Sequence, residues 1–387
     1  MLQLQSILVY TLLAIFMFAF AKKANGSSRI YNYVPIILFT LVFGLRYSVG
    51  VDWDNYRVIY EEELYGLSLP KMIETRYEIG FILITYLCHC LHLPTYMLFV
   101  IIAAIQVFLI YTSLKEEQGV LPYIYLTFIF TGIAIQGFCN VMRQDVAFCI
   151  FLYALTFAKD RRLLVYIILC LLAFCFHKSA IILLPIYFIW SRRSDIFRSQ
   201  ILQCCIFIAC IIMSFFDPIT QILNQTTEII AMIGYDDYNE YVMDLTTNRV
   251  FGPTRLMIIL ANLLIIFSSK DIKSYYNSEL LNRMYDLYFV GLCCYFLFLG
   301  NMLFGRITLY FSNFMFIIYG YALCYFLKAP KTSVIFLKSS IISLMLFVTF
   351  ASLIHNCTTN TDAYVTYFQE ELHFLKDQQR MKLFSNQ

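Results

Sequence analysis

The stretch SILVYTLLAIFMFAFA, residues 6–21, contains no charged side chain and is almost long enough to cross a membrane as a helix. Similar runs recur along the whole chain of 387 residues, of which 60% are hydrophobic and only 14% are charged. Soluble domains carry about 25% charged residues, so the composition excludes an ordinary soluble enzyme. Because a helix satisfies its own backbone polar groups in lipid, the sequence predicts an all-α, polytopic membrane protein.

The apolar runs predict about 12 transmembrane helices, with a range of roughly 11 to 14, packed as a single bundle that comprises the whole chain from 1 to 387. Short polar breaks between the runs favour one bundle over separate domains. Two longer external loops are predicted at about 46–76 and 217–253, and a polar C-terminal tail at about 355–387. The candidate helices lie at 4–21, 29–45, 77–93, 94–113, 119–137, 139–158, 163–176, 178–191, 200–216, 254–269, 282–303, 307–328 and 333–353.

The distribution of Lys and Arg in the short loops predicts the orientation of the helices. The basic loops, expected on the cytoplasmic side, are KDRR at 159–162, SRRSDIFR at 191–198, SSKDIKS at 268–274 and KAPK at 328–331. Both long loops, the polar stretch around Asn140 to Asp145, and His177 then face outward. The loop at 46–76 and the KDRR loop must be separated by an odd number of crossings, yet four candidate helices lie between them. We therefore expect one of these, 77–93 or 139–158, not to cross.

Several ionisable residues lie within or at the edge of apolar runs, where each costs about 2.5 to 3.5 kcal/mol on insertion scales and persists mainly if it is paired or functional. Arg46 has an alternative as an interfacial residue that reaches lipid headgroups. Arg143 has an alternative as a structural partner of Asp145 or Glu78. A set of cations and acids at membrane boundaries suits an anionic, lipid-linked substrate better than a neutral solute. The set is Arg46, Glu78, Arg143, His177, Lys178 and Arg306.

Nucleic-acid binding and metal binding are not expected. The net charge is only +3, and no basic run or basic-aromatic platform lies outside the apolar segments. Cys88 and His92 in CHCLH share one helical face, but no second cluster supplies the remaining ligands of a structural metal site. Most of the 13 cysteines lie inside apolar runs, as expected for small residues packed between helices.

Four motifs occur in order: RYSVGVDWDNYRVIY from Arg46, YEIGF from Tyr77, MRQDVAF from Met142 and FHKSAIILLP from Phe176. In this order and spacing they resemble the EpsG family of Wzy-type bacterial polysaccharide polymerases. The resemblance covers roughly 40–190, and Arg306 is a weaker match further on. The matching positions are Arg46, Gly50, Asp52, Tyr56, Glu78, Gly80, Arg143, Gln144, His177 and Ser179, whereas Asp145 departs from the small or apolar residue usual there.

The resemblance implies a multi-pass protein of the bacterial inner membrane that transfers glycosyl groups on the outer face. Its substrate would be an undecaprenyl-pyrophosphate-linked oligosaccharide, whose repeat units are joined into a capsule, O-antigen or exopolysaccharide. A chain-length regulator and a flippase are expected partners besides membrane lipid. No cofactor or metal is implied.

The candidate residues divide into two roles. Substrate binding is expected from Arg46, Arg143, Gln144, Lys178 and Arg306 for the pyrophosphate, and from Trp53 and Tyr56 for the sugar. The general base is one of Asp52, Glu78 and His177, with a slight preference for His177 because imidazole titrates near neutrality. One base assisting direct attack predicts inversion at the anomeric carbon. The acids and tyrosines of the loop at 217–253 are expected to bind sugar or cover the site.

Two other functions are compatible with the same features. A flippase or exporter of lipid-linked saccharide would line a cavity with these cations, but the sequence lacks the internal repeat that many transporters show. A polysaccharide O-acyltransferase would also use a membrane-edge His and Arg, with an acyl thioester or acyl lipid as donor.

Overall fold

A computed structural model describes residues 2–24, 29–117, 119–190, 197–216, 252–299, 302–329, 333–356 and 361–384. Every regular element within these ranges is helical, which confirms the all-α prediction. The chain forms two compact units, one from 1–192 with 346–387 and the other from 193–345. The single-bundle assignment of the whole chain stays a prediction. The loop predicted at 217–253 lies almost entirely outside the described residues.

The first unit contains the first ten helices, the end of the sixteenth and the seventeenth. In chain order the ten are α1 (Leu2–Ala24), α2 (Val34–Gly44), α3 (Trp53–Val58), α4 (Leu69–Ile73), α5 (Ile79–Cys90), α6 (Thr95–Leu114), α7 (Leu121–Phe130), α8 (Met142–Lys159), α9 (Leu163–Phe176) and α10 (Ile186–Trp190). Helix α16 (Ser333–Asn356) enters this unit from Leu346, and α17 (Glu370–Phe384) follows it. The region 46–76, predicted as a loop, thus contains two short helices, and the predicted polar tail contains α17.

The second unit consists of α11 (Gln200–Phe216), α12 (Pro253–Tyr276), α13 (Glu279–Leu297), α14 (Met302–Ser312), α15 (Phe314–Lys328) and the first half of α16. Inside it the amide of Asn262 accepts hydrogen bonds from the hydroxyls of Tyr288 and Tyr319. The hydroxyl of Tyr285 donates to Gln203 at 2.6 Å. Such paired polar groups are how helices in an apolar environment satisfy buried hydroxyls.

Within the described ranges, four helical segments are long and apolar enough to cross a membrane, namely Leu2–Ala24, Thr95–Leu114, Phe304–Lys328 and Val334–His355. Shorter apolar helices accompany them, at Ile30–Gly44, Ile79–Cys90, Leu121–Phe130, Leu163–Phe176, Lys178–Ile189 and Gln200–Phe216. The chain is therefore a multi-pass membrane protein by composition and helix length. The count of about 12 spans stays a prediction.

Helix α5 has both of its ends against the 46–76 region. Its 12 residues span about 18 Å at 1.5 Å per residue, well short of a hydrocarbon core of roughly 30 Å. Tyr77, just before α5, donates to Glu63 at 2.5 Å, and near its end His89 lies 3.0 Å from the carbonyl of Tyr60. Both ends thus contact the same 46–76 region. These contacts are compatible with 77–93 as the segment that does not cross, and that assignment stays a prediction.

The lysines at the far end of this unit agree with that orientation. Lys159 at the end of α8 lies 3.5 Å from Glu116, just after α6. Lys22 and Lys23 end α1, and the ring of Phe18, one turn earlier, contacts Tyr123 at the start of α7. The basic residues therefore gather at the end of the helices opposite to Arg143, as the positive-inside rule requires for a cytoplasmic side.

Candidate functional site

Arg143, the second residue of α8, forms an ion pair with Glu78, which immediately precedes α5. The Arg143 side chain is 25% exposed and that of Glu78 is 10% exposed. The rings of Tyr77 and Phe81 flank the guanidinium at 5.6 and 5.7 Å. Of the two partners that the sequence offered for Arg143, Asp145 and Glu78, the structure selects Glu78. The pair fixes a guanidinium at the polar end of α8.

Tyr56 holds the same guanidinium from a second side. Its side chain is 5% exposed, and its hydroxyl is hydrogen-bonded to Arg143. Burial raises the pKa of Tyr56, and the nearby positive charge of Arg143 opposes that shift. The phenol therefore stays protonated. Tyr56 thus supports Arg143, and its ring packs at 5.8 Å from Phe81 rather than presenting an open face to a sugar.

His177 lies at the same end of the unit as Glu78. The first turn of α5 approaches the last turn of α9 so closely that a Cβ added to Gly80 would lie 2.9 Å from the carbonyl oxygen of Cys175. His177 ends α9, and its Nδ1 lies 2.6 Å from the hydroxyl of Ser179, which orients the ring. Lys178 is exposed beside it.

Arg46 lies inside the protein rather than at a lipid boundary. Its side chain is 2% exposed, and its guanidinium donates to the carbonyl of Phe43 and, at 3.3 Å, to that of Cys139. It also lies 4.7 Å from the ring centre of Phe99. Among the described residues no carboxylate pairs with it. In this conformation Arg46 joins α2, α6 and the start of α8, and its predicted contact with pyrophosphate stays a prediction.

Asp52 and Trp53 begin α3. Trp53 is 2% exposed, with its ring 5.0 Å from Tyr47 and 6.0 Å from Phe99. Its indole Nε1 has no hydrogen-bond partner among the described residues. The charge of Asp52 acts on both Tyr56 and Arg380.

The two remaining candidates for substrate binding are Gln144 and Arg306. Gln144 is buried next to Arg143, with 2% of its surface exposed. Arg306 is exposed on α14 of the second unit. The structure brings together Asp52, Tyr56, Glu78, Arg143 and His177 at one end of the first unit, and the role of Arg306 stays a prediction.

No sequence pattern indicates that the C-terminal segment adjoins this region. Residues 361–367 pair with the start of the 46–76 region through backbone hydrogen bonds from Tyr47 to Val365 at 2.8 Å, from Tyr367 to Leu45 at 3.0 Å and from Gly50 to Thr361 at 3.0 Å. The amide of Asn140 holds the other side of this turn, because its oxygen accepts from the N–H of Val51 at 2.6 Å.

Helix α17 then packs over the turn. The ring of His373 stacks on that of Tyr47 with centres 3.5 Å apart. Arg380 donates to the carbonyls of Gly50 and Val51 at 3.3 and 2.5 Å. The hydroxyl of Tyr47 lies 3.3 Å from Asp377, and burial together with that carboxylate raises the pKa of Tyr47 to about 12. In the sequence, this segment shows only a run of His, Lys, Asp and Arg in a helical stretch. Such a run does not indicate which other segment it contacts.

Nothing in the described part of the chain forms a ready metal site, since no three His, Cys, Asp or Glu side chains there cluster as ligands would. The arrangement offers cationic and hydroxyl donors, an imidazole and carboxylates. Such a set can bind an anion and move a proton.

Comparison with known families gives one result that covers most of the chain. The model of the EpsG family matches residues 29–368. Searches of curated proteins and of solved structures find no match. The matched range includes every residue of the candidate site except those contributed by α17. The protein therefore belongs to the EpsG family, a family of Wzy-type polysaccharide polymerases.

Proposed function

We propose that this protein joins undecaprenyl-pyrophosphate-linked oligosaccharide repeat units by glycosyl transfer on the outer face of the bacterial inner membrane. Membership of the EpsG family implies a polysaccharide polymerase-type function. The more specific proposal rests on one observation. Glu78 and Tyr56 hold the guanidinium of Arg143 at the end of the first unit opposite to its lysines.

Arg143 is suited to bind the pyrophosphate of the donor. A guanidinium has five N–H donors, and the contacts with Glu78 and Tyr56 leave its buried Nε without a partner among the described residues. A fixed planar fork matches phosphate oxygens and stabilises charge as it develops on the leaving group. The exposed ammonium of Lys178, next to His177, adds a second cation. Gln144 and Arg306 are further donors in this proposal.

His177 is the proposed general base. The contact of Nδ1 with Ser179 fixes the ring, so that Nε2 is the nitrogen with which it acts. Glu78 is engaged by Arg143 and positions that residue instead. Asp52 remains the alternative base, since it lies near Tyr56 on the adjoining helix. The expected pH profile distinguishes the two, because an imidazole titrates near 6.5 and a carboxylate near 4.

In the proposed step the hydroxyl oxygen of the acceptor saccharide attacks the anomeric carbon that carries the pyrophosphate in the donor. The new C–O glycosidic bond forms as the bond from carbon to the pyrophosphate oxygen breaks. Undecaprenyl pyrophosphate leaves with the bonding electron pair, and the hydroxyl proton passes to His177. A single displacement of this kind inverts the anomeric configuration. Detection of a covalent glycosyl-enzyme intermediate would contradict it.

Analysis of lipid-linked glycans in cells tests the proposal. A strain that lacks the gene is complemented with the parent chain, with Arg143→Ala or with His177→Ala. We expect both variants to accumulate single repeat units on lipid, whereas Arg76→Ala and His355→Ala, which change exposed residues outside the site, should restore long chains. Loss of acetyl groups with unchanged chain length would support an acyltransferase instead. Loss of outward-facing single units would support a flippase.

A further inference from the structure

We propose that α17 and the Tyr47–Arg57 segment enclose a binding cleft for the acceptor saccharide. The inference rests on the proposed function and names a second part of the same site.

The cleft has a volume of about 630 Å³, within the range of roughly 300 to 1,000 Å³ that is typical of ligand sites. One wall comes from α3 and the turn before it, and the other from α17. The residues that decide its chemistry are Tyr47, Trp53, Asp54, Arg57, Asp377 and Arg380. Two segments that lie more than 300 positions apart in the sequence thus form one concave surface.

The polar groups of the cleft suit sugar hydroxyls. Asp54 pairs with Arg57 at 2.9 Å, and Asp377 accepts from the hydroxyl of Tyr47 at 3.3 Å. Each such pair offers an acceptor beside a donor, and a sugar hydroxyl both donates and accepts. Trp53 lines the cleft, and its buried indole N–H lacks a partner among the described residues. A buried donor of this kind costs about 1–3 kcal/mol unless a ligand or water satisfies it.

The charges of the cleft disfavour a phosphate. Arg57 already has two carboxylate partners at 2.9 Å, Asp54 and Glu61. Arg380 is directed to the carbonyls of Gly50 and Val51. The cleft is lined by two acidic side chains, Asp54 and Asp377, and by two cations that already have partners, so a saccharide fits better than a pyrophosphate group. The pyrophosphate is assigned to Arg143 instead.

Asp52 links the cleft to the Arg143 group. Tyr56 projects from α3 toward Arg143, whereas Trp53 and Arg57, four residues apart and thus on one face of that short helix, line the cleft. Asp52 precedes the helix and lies within electrostatic range of both Tyr56 and Arg380. A saccharide in the cleft would therefore lie beside the group that activates the donor, where its hydroxyl is needed.

The family match ends at residue 368, whereas α17 covers Glu370–Phe384. Asp377 and Arg380 consequently lie beyond the matched range, and Trp53, Asp54 and Arg57 lie inside it. The donor group is built wholly from matched residues. The acceptor subsite has one wall inside the matched range and one wall outside it.

Fluorescence of Trp53 tests binding directly. The chain has only two tryptophans, Trp53 and Trp190, so Trp190→Phe leaves an indole in the cleft as the sole reporter. The probe is the repeat-unit oligosaccharide released by mild acid from the lipid-linked pool of the producing cells. We expect a saturable change in emission when it is added to the purified full-length protein in detergent.

A blocking variant and its control test the location. Met381 lines the cleft and is 63% exposed, so Met381→Tyr fills space without removing a contact that holds the helix. Leu375→Tyr makes a similar change at an exposed position of α17 that does not line the cleft. We expect Met381→Tyr to weaken binding at least tenfold and to raise the KM for lipid-linked repeat units similarly, and Leu375→Tyr to change neither by more than twofold.

Two results would overturn the inference: no saturable emission change in the Trp190→Phe protein, or equal affinity in the Met381→Tyr and Leu375→Tyr proteins. If either occurs while the parent still polymerises and His177→Ala does not, only the acceptor subsite is wrong. If the parent chain itself fails to polymerise lipid-linked units, the proposed function fails.

Discussion

The guanidinium of Arg143 contacts the carboxylate of Glu78, which lies 65 positions earlier in the chain. If this pair only held α5 against α8, a lysine in place of the arginine would serve. If Arg143 also binds pyrophosphate, the planar fork is required. We expect Arg143→Lys to keep the free energy of unfolding within about 1 kcal/mol of the parent and to lower turnover about 10²-fold.

Thermal unfolding in detergent and polymerisation by membrane vesicles measure the two effects separately. Arg76→Lys is the matched control, because Arg76 pairs with Glu63 on the same surface but has a side chain that is 78% exposed. Parental turnover in Arg143→Lys would reduce Arg143 to a structural role.

Gly50 is expected to tolerate no side chain. Its φ is +97°, and an added Cβ would lie 2.4 Å from the amide oxygen of Asn140. Gly50→Ala should therefore destabilise the fold by about 1–3 kcal/mol and loosen the turn that carries Asp52. Gly66→Ala is the control, since its φ is +72° but nothing lies within 4 Å of the added atom. Equal losses of thermal stability in the two variants would show that the contact with Asn140 is unimportant.

Gly80 controls the distance between α5 and α9. An alanine there would have its Cβ 2.9 Å from the carbonyl of Cys175 and 3.0 Å from the ring of Phe176, so the helices must separate. Because the proposed chemistry needs Glu78 and His177 at fixed positions, we expect turnover to fall at least tenfold, with a loss of stability of about 1–3 kcal/mol.

Gly305→Ala provides the comparison for Gly80→Ala, because Gly305 is also helical and nothing lies within 4 Å of its added Cβ. Its stability should be unchanged or slightly raised, since alanine favours the helix by about 1 kcal/mol. Unchanged turnover in Gly80→Ala would contradict the proposed juxtaposition of the two helix ends.

The C-terminal segment should respond to pH through Asp362. Burial raises the pKa of this carboxyl, while the hydrogen bond from Gln136 and the charge of Lys376 oppose the shift. A raised pKa favours the protonated folded state, so the stabilising contribution is present below the ordinary value near 3.9 and is lost as the pH rises through the folded-state pKa. We expect Asp362→Asn to gain stability relative to the parent as the pH increases from 4 to 8.

Thermal unfolding of the two purified proteins at several pH values measures that difference. The variant retains an amide oxygen that can accept from Gln136. A constant difference across this range would mean that the titration of Asp362 does not affect the stability of the fold.

The sequence identified the family and part of the site because local motifs carry that information. The order of the motifs around Arg46, Glu78, Arg143 and His177 predicted EpsG membership, which the family match confirms. Glu78 was one of two partners proposed for Arg143. The crossing count led to the expectation that 77–93 or 139–158 does not cross, and both ends of α5 contact the 46–76 region.

Other features depend on contacts between distant segments, which a single sequence does not specify. An arginine at the end of an apolar run resembles an interfacial residue, whereas Arg46 is covered by α6 and the loop before α8. Tyr56 was expected to bind sugar, yet its ring packs against Phe81 and its hydroxyl holds Arg143. The docking of α17 on Tyr47 joins positions more than 320 residues apart. No periodicity in either segment indicates the other.

We propose that the residues around Arg143 and His177 join lipid-linked repeat units without a metal. The most direct measurement is polymerisation by the purified protein in proteoliposomes that contain lipid-linked single repeat units and a chelator, with glycan length read by mass spectrometry. We expect polymer from the parent and from His355→Ala, and only single units from His177→Ala. Polymer of normal length from His177→Ala, or no polymer from the parent until a divalent metal is restored, would contradict it.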